Sequence, residues 1–412
     1  MTRFSDEFLR ALPKTDLHLH LDGSLRIETL IELAHDAGVA LPAETVQGLR
    51  ETVFKDQYAS LEEYLRGFAL TTAVMQSDAA LFRIAYELML DNAAEGVRYI
   101  EVRFAPQLLM SEKMSYGQVM DAVDRGLRTA RDELNARLAA GEPEYDYGLI
   151  VCAMRFCLPV FSPYYAKFWQ DHAGLSDTQI IQKASVELAR ATAELRAGQR
   201  QDSKTGAATQ VVGFDIAGAE NGFPASQFAE AYALAGRAFL GKTVHAGEAY
   251  GAESIYQAVT KLHAERIGHG LFLFDATRLQ DARIVDCNAY LEALIDYIAK
   301  RRITLEVCLS SNLQTTPSLS NIAAHPFGTM LERGLAVTLC TDNRLVSNTS
   351  VTQEYRLAVD HFPIDAKRLK TLALTGFERA FHFRPYAEKI DYLKRVAAHY
   401  DTIARQHGVA SA

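Results

Sequence analysis

The sequence predicts an α/β fold of the (β/α)8 TIM-barrel type, and three observations support this prediction. Eight short runs of β-branched and apolar residues recur along the 412-residue chain. Segments with the spacing of amphipathic helices separate these runs, and such alternation indicates a parallel sheet covered by helices. Six of the eight runs also end on side chains capable of catalysis, as expected for a barrel whose active site lies at the C-terminal ends of its strands.

The predicted strands are short apolar runs bounded by turn residues or helical patterns. In chain order they cover residues 15–21, 97–106, 147–156, 211–218, 242–248, 266–270, 304–312 and 335–343. Helix spacing after the first strand places Ile27, Leu30, Ile31 and Ala34 on one face. Each strand is therefore predicted to be followed by helical structure that covers the barrel.

The chain is longer than eight strand–helix units require, and the additional length is predicted to form helices at the termini and in the loop after strand 1. Helical patterns cover residues 377–383 and 386–403, whereas the polar stretch 198–210 is predicted to be a surface loop. No repeat or clear linker divides the sequence. Residues 1–412 are therefore predicted to form a single metal-dependent barrel domain.

The charge balance excludes several classes of partner. The chain carries 43 Lys and Arg against 51 Asp and Glu, a formal net charge of −8. Nucleic acids and anionic membranes both require a positive field, so neither is expected as a partner. No run of about 18 apolar residues is present, and Asp6 and Glu7 lie where a signal peptide would be basic.

The cysteine content predicts reduced thiols in a cytoplasmic protein. Five cysteines in a chain of this length are few and odd in number, which is unlike a disulfide framework. Cys152, Cys308 and Cys340 fall within predicted strands and are expected to be buried thiols. The chain also lacks the C-x-x-C motif that cytidine-deaminase-type zinc enzymes require.

Four short motifs at predicted strand ends carry groups that can bind metal or transfer protons. His18 and His20 lie two residues apart, so a strand would place both imidazoles on one face. The other three motifs are His245-Ala246-Gly247-Glu248, Gly268-His269-Gly270 and Thr341-Asp342-Asn343. Each motif alone also fits an ordinary role: a hydrogen-bonded histidine, a surface His–Glu pair, a tight turn or a helix cap.

Taken together, the four motifs predict a metal site. Three histidines and one carboxylate at the ends of the first, fifth and eighth strands would form a four-ligand shell for one zinc ion (Zn2+) per chain. Zinc lowers the pKa of a bound water toward about 7, and Glu248 and His269 would be acid–base groups beside it. A second metal bridged by a carboxylated lysine is not expected, because residues 211–218 contain no lysine.

The motifs resemble those of the adenosine deaminases in the amidohydrolase superfamily. The resemblance rests on the segments PKTDLHLHLDGSL, VRYIEVRFAPQLL, VVGFDIAGAE, TVHAGE, RIGHG, LEVCLSSN and TDN, which occur in this order. It extends from about residue 12 to about residue 356 and implies a (β/α)8 barrel. The implied reaction is zinc-dependent deamination of adenosine, and of 2′-deoxyadenosine, to inosine and ammonia.

The resemblance also implies roles for individual residues. His18, His20, His245 and Asp342 match the zinc ligands. Glu248 matches the proton donor to purine N1, and His269 matches the histidine that orients and deprotonates the zinc-bound water, to which Asp342 also hydrogen-bonds. The residues implied to contact the purine nucleoside are Gly218 at a ring nitrogen, and His20 and Asp22 near the ribose 5′-hydroxyl.

One position departs from the family pattern. Family members typically follow the last strand with two aspartates and a proline, whereas this chain has Asp342, Asn343 and Arg344. The second aspartate contacts purine N7, and the Asn343 amide can donate a hydrogen bond there without being protonated. The departure leaves open a deaminase of adenine or of a modified adenosine such as aminodeoxyfutalosine.

Residues 60–73 resemble the helical gate of the family. Leu61, Tyr64, Leu65 and Phe68 form an apolar stripe at helical spacing, which fits either core packing or a lid over the ribose. Leu61 and Leu65 are therefore candidate substrate contacts. A binding protein that has lost catalysis would not need both Glu248 and His269, so an enzyme is favoured, and the oligomeric state is not predicted.

Overall fold

The computed structural model describes residues 4–202, 209–319 and 321–409, and these contain eight parallel strands in the order of the chain. The strands are β1 (Lys14–His20), β2 (Val97–Phe104), β3 (Asp146–Met154), β4 (Val211–Ala217), β5 (Gly241–Ala246), β6 (Arg266–His269), β7 (Thr304–Val307) and β8 (Val337–Leu339). A parallel bridge between Leu19 and Asp342 joins the first strand to the end of the last. The predicted (β/α)8 barrel is thereby confirmed.

Helices surround this ring, and several of them precede or follow the barrel units. The helices are α1 (Asp6–Ala11), α2 (Ile27–Ala37), α3 (Val46–Thr52), α4 (Leu61–Leu65), α5 (Gly67–Val74), α6 (Asp78–Ala93), α7 (Tyr116–Asn135), α8 (Pro163–Asp171), α9 (Asp177–Asp202), α10 (Ala229–Arg237), α11 (Ala252–Lys261), α12 (Cys287–Arg301), α13 (Leu309–Thr315), α14 (Phe327–Glu332), α15 (Val351–His361), α16 (Ala366–Arg379) and α17 (Tyr386–Gln406). Short 3-10 turns cover Pro106–Leu108, Pro159–Phe161, Ala225–Phe228, Ala276–Arg278 and Ile322–Ala324. The additional helices after β1 and at the termini occur where the sequence predicted them.

Several predicted boundaries are wrong. The eighth strand, predicted over 335–343, covers only Val337–Leu339, and two further differences are accompanied by tertiary contacts. The seventh run is a strand only through Val307, and its four residues pair with both neighbouring strands, β6 and β8. Helix α13 begins at Leu309, so most of the rest of the predicted strand is helical. The helix predicted over 377–383 ends instead at Arg379. There the chain turns beneath the barrel, where the Phe381 amide donates a hydrogen bond to Glu101 and its ring lies against Gly241.

The loop predicted over 198–210 begins later than expected, because α9 continues through Asp202. Residues 203–208 lie outside the described residues. All five cysteines are free thiols, and Cys152, Cys308 and Cys340 are buried as predicted. Among the helices of the described segments, none is long and apolar enough to cross a membrane.

The interior of the barrel is charged as well as apolar. Arg103 on β2 pairs with Asp215 on β4 and with Glu306 on β7, at 2.7 and 2.9 Å. Arg266 on β6 pairs with the same Glu306 at 2.7 Å and with Glu101 on β2. These side chains are almost completely buried. Buried charges are stable only when they are paired. The paired network joins β2 to β4, β6 and β7, and it forms the floor of the site.

Candidate active site

A cavity of about 750 Å³ opens at the C-terminal ends of the strands. Every residue predicted from the sequence to contact substrate lines it, together with Glu248, His245, His269 and Asp342; the predicted contacts are His20, Asp22, Leu61, Leu65, Gly218 and Asn343. The strand ends thus bring together groups that are more than 300 residues apart in the chain. His18 lies just below, completely buried.

His18, His20, His245 and Asp342 form a compact buried cluster whose potential ligand atoms all lie within 4.8 Å of one another. Nε2 of His20 is 3.1 Å from Nε2 of His245. Asp342 Oδ1 is 3.5 Å from Nε2 of both His18 and His20. The strand pairing produces this arrangement, because the backbone of Asp342 exchanges hydrogen bonds with His18 and His20 across the closing bridge.

Two carboxylates orient two of these imidazoles. His18 Nδ1 lies 2.9 Å from Glu306 Oε2, and His245 Nδ1 lies 2.9 Å from Asp215 Oδ2. Burial alone would raise the pKa of Glu306, but the charges of Arg103 and Arg266 hold that pKa well below its ordinary value. An ionised carboxylate only accepts hydrogen bonds, so His18 carries its proton on Nδ1 and directs its Nε2 lone pair into the cluster. At His245 the Asp215 carboxylate lies beside Nδ1, on the side of the ring away from the cluster.

Asp342 is oriented in a similar way. Its Oδ2 accepts a hydrogen bond from Ser311 Oγ at 2.6 Å, which leaves Oδ1 facing the histidines. Burial would raise the pKa of Asp342, but the imidazoles around it, that of His18 above all, lower it below the ordinary value. The cluster therefore offers one anionic oxygen and three imidazole nitrogens.

This donor set fits a zinc-like divalent cation. Nε2 of His18 is buried and has no hydrogen-bond partner among the described residues, although such an atom normally has one. The cluster offers three imidazole nitrogens and one carboxylate oxygen, and carboxylates lie behind two of the imidazoles. This donor set matches the chemistry of catalytic zinc sites.

Glu248 follows β5 and projects into the cavity beside this cluster. Its side chain is buried, and Oε1 lies 3.7 Å from Nε2 of His269. Burial raises the pKa of Glu248 well above the ordinary value, and the negative charges of Asp342 and Glu220 add to the effect. A carboxyl group in this environment is held in its protonated form and can donate a proton.

The backbone that carries Glu248 is held by a second buried carboxylate. Glu220, in the loop after β4, accepts hydrogen bonds from the four consecutive N–H groups of residues 247–250, at 2.7–3.0 Å. It also accepts one from the hydroxyl of Ser254. Gly218, two residues before Glu220, has a φ of 95° that favours glycine. Glu220 therefore joins the loop of Gly218 to the loop of Glu248.

His269 ends β6 and is almost completely buried. Its Nδ1 lies 3.0 Å from Nδ2 of Asn312, in α13. Burial lowers the pKa of His269 well below the ordinary value, and the neighbouring His18 lowers it further. The imidazole is therefore neutral and faces Glu248 and Asp342 with its Nε2.

The predicted gate consists of α4 and α5, which join at Arg66 and cover one side of the cavity. Leu61, Tyr64, Leu65 and Phe68 all line the cavity, and the Tyr64 hydroxyl also hydrogen-bonds with Ser347. Nδ2 of Asn343 donates to the Tyr64 hydroxyl at 2.7 Å. Asn343 therefore lies at the cavity as predicted, and it also ties the gate to the end of β8.

Asp22 lies at the end of the cavity near His20, 3.9 Å from its Nδ1. Burial raises the pKa of Asp22 to about 7. Oδ1 of Asp22 has no hydrogen-bond partner among the described residues. An acceptor left in this state is suited to a hydroxyl group of a ligand.

Sequence reasoning assigned no specific role to several residues that support the site, although Asp215 and Ser311 were among the strand-end side chains capable of catalysis. The supporting residues are Arg103, Asp215, Glu220, Glu306, Ser311 and Asn312. The signal for three of them was a charged residue inside an otherwise apolar strand, which a buried strand tolerates only when the charge is paired. No comparable sequence signal marked Asn312, whose role depends on α13.

Comparisons with known proteins agree with this geometry. The family model described as "Adenosine deaminase" matches residues 13–162 and 172–398. A protein of Mycobacterium ulcerans named "Adenosine deaminase" is 35% identical over 375 residues, covering 90% of this chain and 91% of that protein. "Adenosine deaminase 1" of Streptomyces coelicolor is 34% identical over 394 residues, covering 95% of this chain and 88% of its own.

A solved structure is also similar. The Arabidopsis protein ADAL, determined in complex with IMP, superimposes with a TM-score of 0.72 at 26% identity. The match covers 97% of this chain and 99% of that one. The likeness extends over the whole barrel and its additional helices.

Proposed function

The chain belongs to the adenosine deaminase family, and we propose that it catalyses the zinc-dependent hydrolytic deamination of adenosine, and of 2′-deoxyadenosine, to inosine and ammonia. The observation that carries the proposal is a buried acid, Glu248, beside a cluster of three histidines and one aspartate. This combination can protonate an aromatic ring nitrogen while water attacks the adjacent carbon.

Three residues of the cavity have a part in this reaction. The protonated carboxyl of Glu248 donates to N1 of the purine, which makes C6 electrophilic and neutralises the charge that attack places on the ring. His269 and Asp342 hydrogen-bond to the attacking water. The amino group on the tetrahedral C6 takes up one proton that came from the water and leaves as ammonia, as the C6–N bond breaks and the C6=O bond forms. The ring regains its aromaticity as the hypoxanthine of inosine, and the second water proton restores protonated Glu248.

His18, His20, His245 and Asp342 would hold one zinc ion per chain. When bound, zinc supplies Lewis acidity that lowers the pKa of water to about 7, so that hydroxide is available at neutral pH. The carboxylate behind His18 keeps the Nε2 lone pair of that imidazole available for it, and Asp215 lies behind His245. Oδ1 of Asp342 serves the same cluster.

The cavity favours a nucleoside over a nucleotide. Of the described residues that line it, none is Lys or Arg, whereas Asp22, Glu248 and Asp342 are acidic. Phosphate is normally held by Arg, Lys or a helix N-terminus, so a 5′-phosphate would lie here without a cation. We therefore infer an uncharged nucleoside, although the related ADAL structure contains IMP.

Further contacts follow from the cavity lining. Asp22 and His20 would hold the ribose 5′-hydroxyl, Gly218 would meet a purine ring nitrogen, and Asn343 would donate to N7. Leu61 and Leu65 would cover the ribose. The alternatives, adenine or a modified adenosine such as aminodeoxyfutalosine, differ from adenosine only in the groups that these residues would contact.

A substrate panel tests the proposal. Adenosine, 2′-deoxyadenosine, adenine, AMP and aminodeoxyfutalosine would be compared by ultraviolet absorbance and ammonia release at matched enzyme concentration. We expect the highest kcat/KM for adenosine and at least a hundredfold lower value for AMP. Preference for adenine, AMP or aminodeoxyfutalosine would overturn the assigned substrate, and no ammonia from any of them would overturn the enzyme assignment.

Two broader predictions accompany this function. We propose that residues 1–412 form one barrel domain, since the site draws its groups from β1 through β8. The cytoplasmic location expected from the sparse cysteines stays a prediction.

A further inference from the structure

A chain of hydrogen bonds leads from His269 away from the cavity. Nδ1 of His269 lies 3.0 Å from Nδ2 of Asn312, and Oδ1 of Asn312 lies 3.2 Å from Nε2 of His325. Nδ1 of His325 accepts the backbone N–H of Phe327 at 3.0 Å. The three side chains are almost completely buried, so each contact depends on its protein partner.

The direction of every bond in this chain follows from its last member. The backbone N–H of Phe327 can only donate, so Nδ1 of His325 carries no proton. Burial lowers the pKa of His325 to about 3, which keeps the ring neutral at pH 7. A neutral imidazole with a bare Nδ1 has its proton on Nε2. His325 therefore donates to Asn312.

The amide of Asn312 then fixes which atom donates in its hydrogen bond with His269. Its oxygen accepts the proton of His325, so its NH2 group must face His269 and donate to Nδ1. Rotating the amide by 180° would place its NH2 against the protonated Nε2 of His325, donor against donor. The usual ambiguity of amide and imidazole assignments is thus removed by one backbone N–H.

We propose that Asn312 and His325 are positioning residues that hold neutral His269 with its ring proton on Nε2, so that His269 donates a hydrogen bond into the site and does not accept a proton there. The assignment of the tautomer rests on the contacts alone, and its consequence for catalysis rests on the proposed function. It differs from the deprotonating role that the family resemblance implies for His269.

The consequence is a fixed donor beside the attacking water. Nε2 of His269 faces Glu248 and Asp342, the two other acid–base groups of the cavity. A donor held there can orient the attacking oxygen and stabilise the charge that develops on it. The proton that the water loses must then be taken by a group other than His269.

Nitrogen-15 NMR of histidine-labelled protein tests the tautomer directly, because protonated and unprotonated ring nitrogens have well-separated chemical shifts. The spectrum would be recorded at pH 7 on the purified protein and after metal removal, and the His269 signals would be assigned from their loss in His269→Gln. We expect the proton on Nε2 in both samples. A proton on Nδ1 in the wild-type protein would overturn the proposal.

Three variants test the positioning role. In Asn312→Asp a carboxylate that only accepts replaces the donor, so the proton of His269 should move to Nδ1 and kcat should fall about 100-fold with little change in KM. His325→Gln retains an N–H donor for Asn312 and should preserve the tautomer and most of kcat. His325→Leu removes the donor and should lose both.

A matched control separates positioning from damage to the fold. Asn92→Asp makes the same exchange at another buried asparagine, one whose amide donates to the carbonyl of Leu88. It should leave kcat and the His269 signals unchanged. A switched tautomer with wild-type kcat in Asn312→Asp would refute the catalytic consequence. Wild-type protein that deaminates nothing would instead refute the proposed function, while the NMR result would still decide the tautomer.

Discussion

Glu248→Gln removes the proposed proton donor and changes little else. The amide has the shape of the carboxyl and can still donate a hydrogen bond to purine N1, but it cannot transfer a proton. Glu248 is only 8% exposed, so solvent water is poorly placed to replace it. The variant thus isolates proton transfer from substrate binding.

The size of the effect follows from the environment of the residue. Burial and the charges of Asp342 and Glu220 keep Glu248 protonated, so the wild-type enzyme has its general acid in the active form at neutral pH. General acid catalysis contributes about 10²- to 10⁴-fold, equivalent to about 3–5 kcal/mol at 1.36 kcal/mol per tenfold change. We expect kcat to fall by that factor, KM to change by less than about threefold, and the zinc content to hold.

Steady-state kinetics with adenosine would measure both constants, with metal analysis on the same samples. Glu253→Gln provides a matched control, because Glu253 is also buried and accepts the backbone N–H groups of Gln280 and Asp281, both at 2.6 Å, outside the cavity. The control should lower the thermal midpoint while keeping kcat. Near-normal turnover in Glu248→Gln would refute the assignment of the proton donor.

Three further predictions concern the support of the site. Glu220→Gln should lower kcat at least about tenfold, and hydrogen exchange of the residue 247–250 amides should accelerate, because these amides lose their carboxylate acceptor. Glu306→Gln leaves Arg103 and Arg266 without a shared anion; it should cost about 3–5 kcal/mol of stability and weaken zinc binding about 10- to 100-fold, measured by thermal unfolding and metal competition. His382 has its pKa lowered to about 3 by burial and by the charges of Lys389 and Arg384. Protonation therefore opposes folding, and the wild-type protein should lose about 1.4 kcal/mol per pH unit through this residue as the pH falls from about 6.5 toward 3. His382→Phe should flatten that dependence in denaturant unfolding at pH 4–6.

Each of these predictions has a contrary outcome. Unchanged exchange of residues 247–250 in Glu220→Gln would show that the carboxylate does not hold the loop. Wild-type metal affinity in Glu306→Gln would show that the ion network does not contribute to metal binding by the histidine cluster. A pH dependence of stability in His382→Phe equal to that of the wild type would show that another group titrates over this range.

The strand ends and their chemistry were predictable from the sequence because both depend on local pattern. In a strand of any sheet, His18 and His20 point to the same face. A polar residue after a short apolar run likewise indicates a strand end. The closure of the barrel then places Asp342 against β1. These contacts follow from the strand count once the barrel is assumed.

The residues behind the site were not predictable in the same way. Arg103 and Glu306 meet only because β2 and β7 lie on opposite sides of one barrel, a separation of 203 residues in the chain. Asn312 was expected at a strand end, but it lies in α13, and only there does its amide connect His325 to His269. Pairing between charges or amides that are far apart in the chain does not alter the local spacing of apolar residues, so that spacing cannot predict it.

The central claim is that adenosine is deaminated with one metal ion held by His18, His20, His245 and Asp342. A zinc titration of the metal-free protein, followed by the initial rate of inosine formation from adenosine, tests it most directly. We expect negligible activity without metal and a linear rise that ends at one zinc per chain. Full activity in the metal-free protein, or a rise that ends only at two zinc ions per chain, would contradict it.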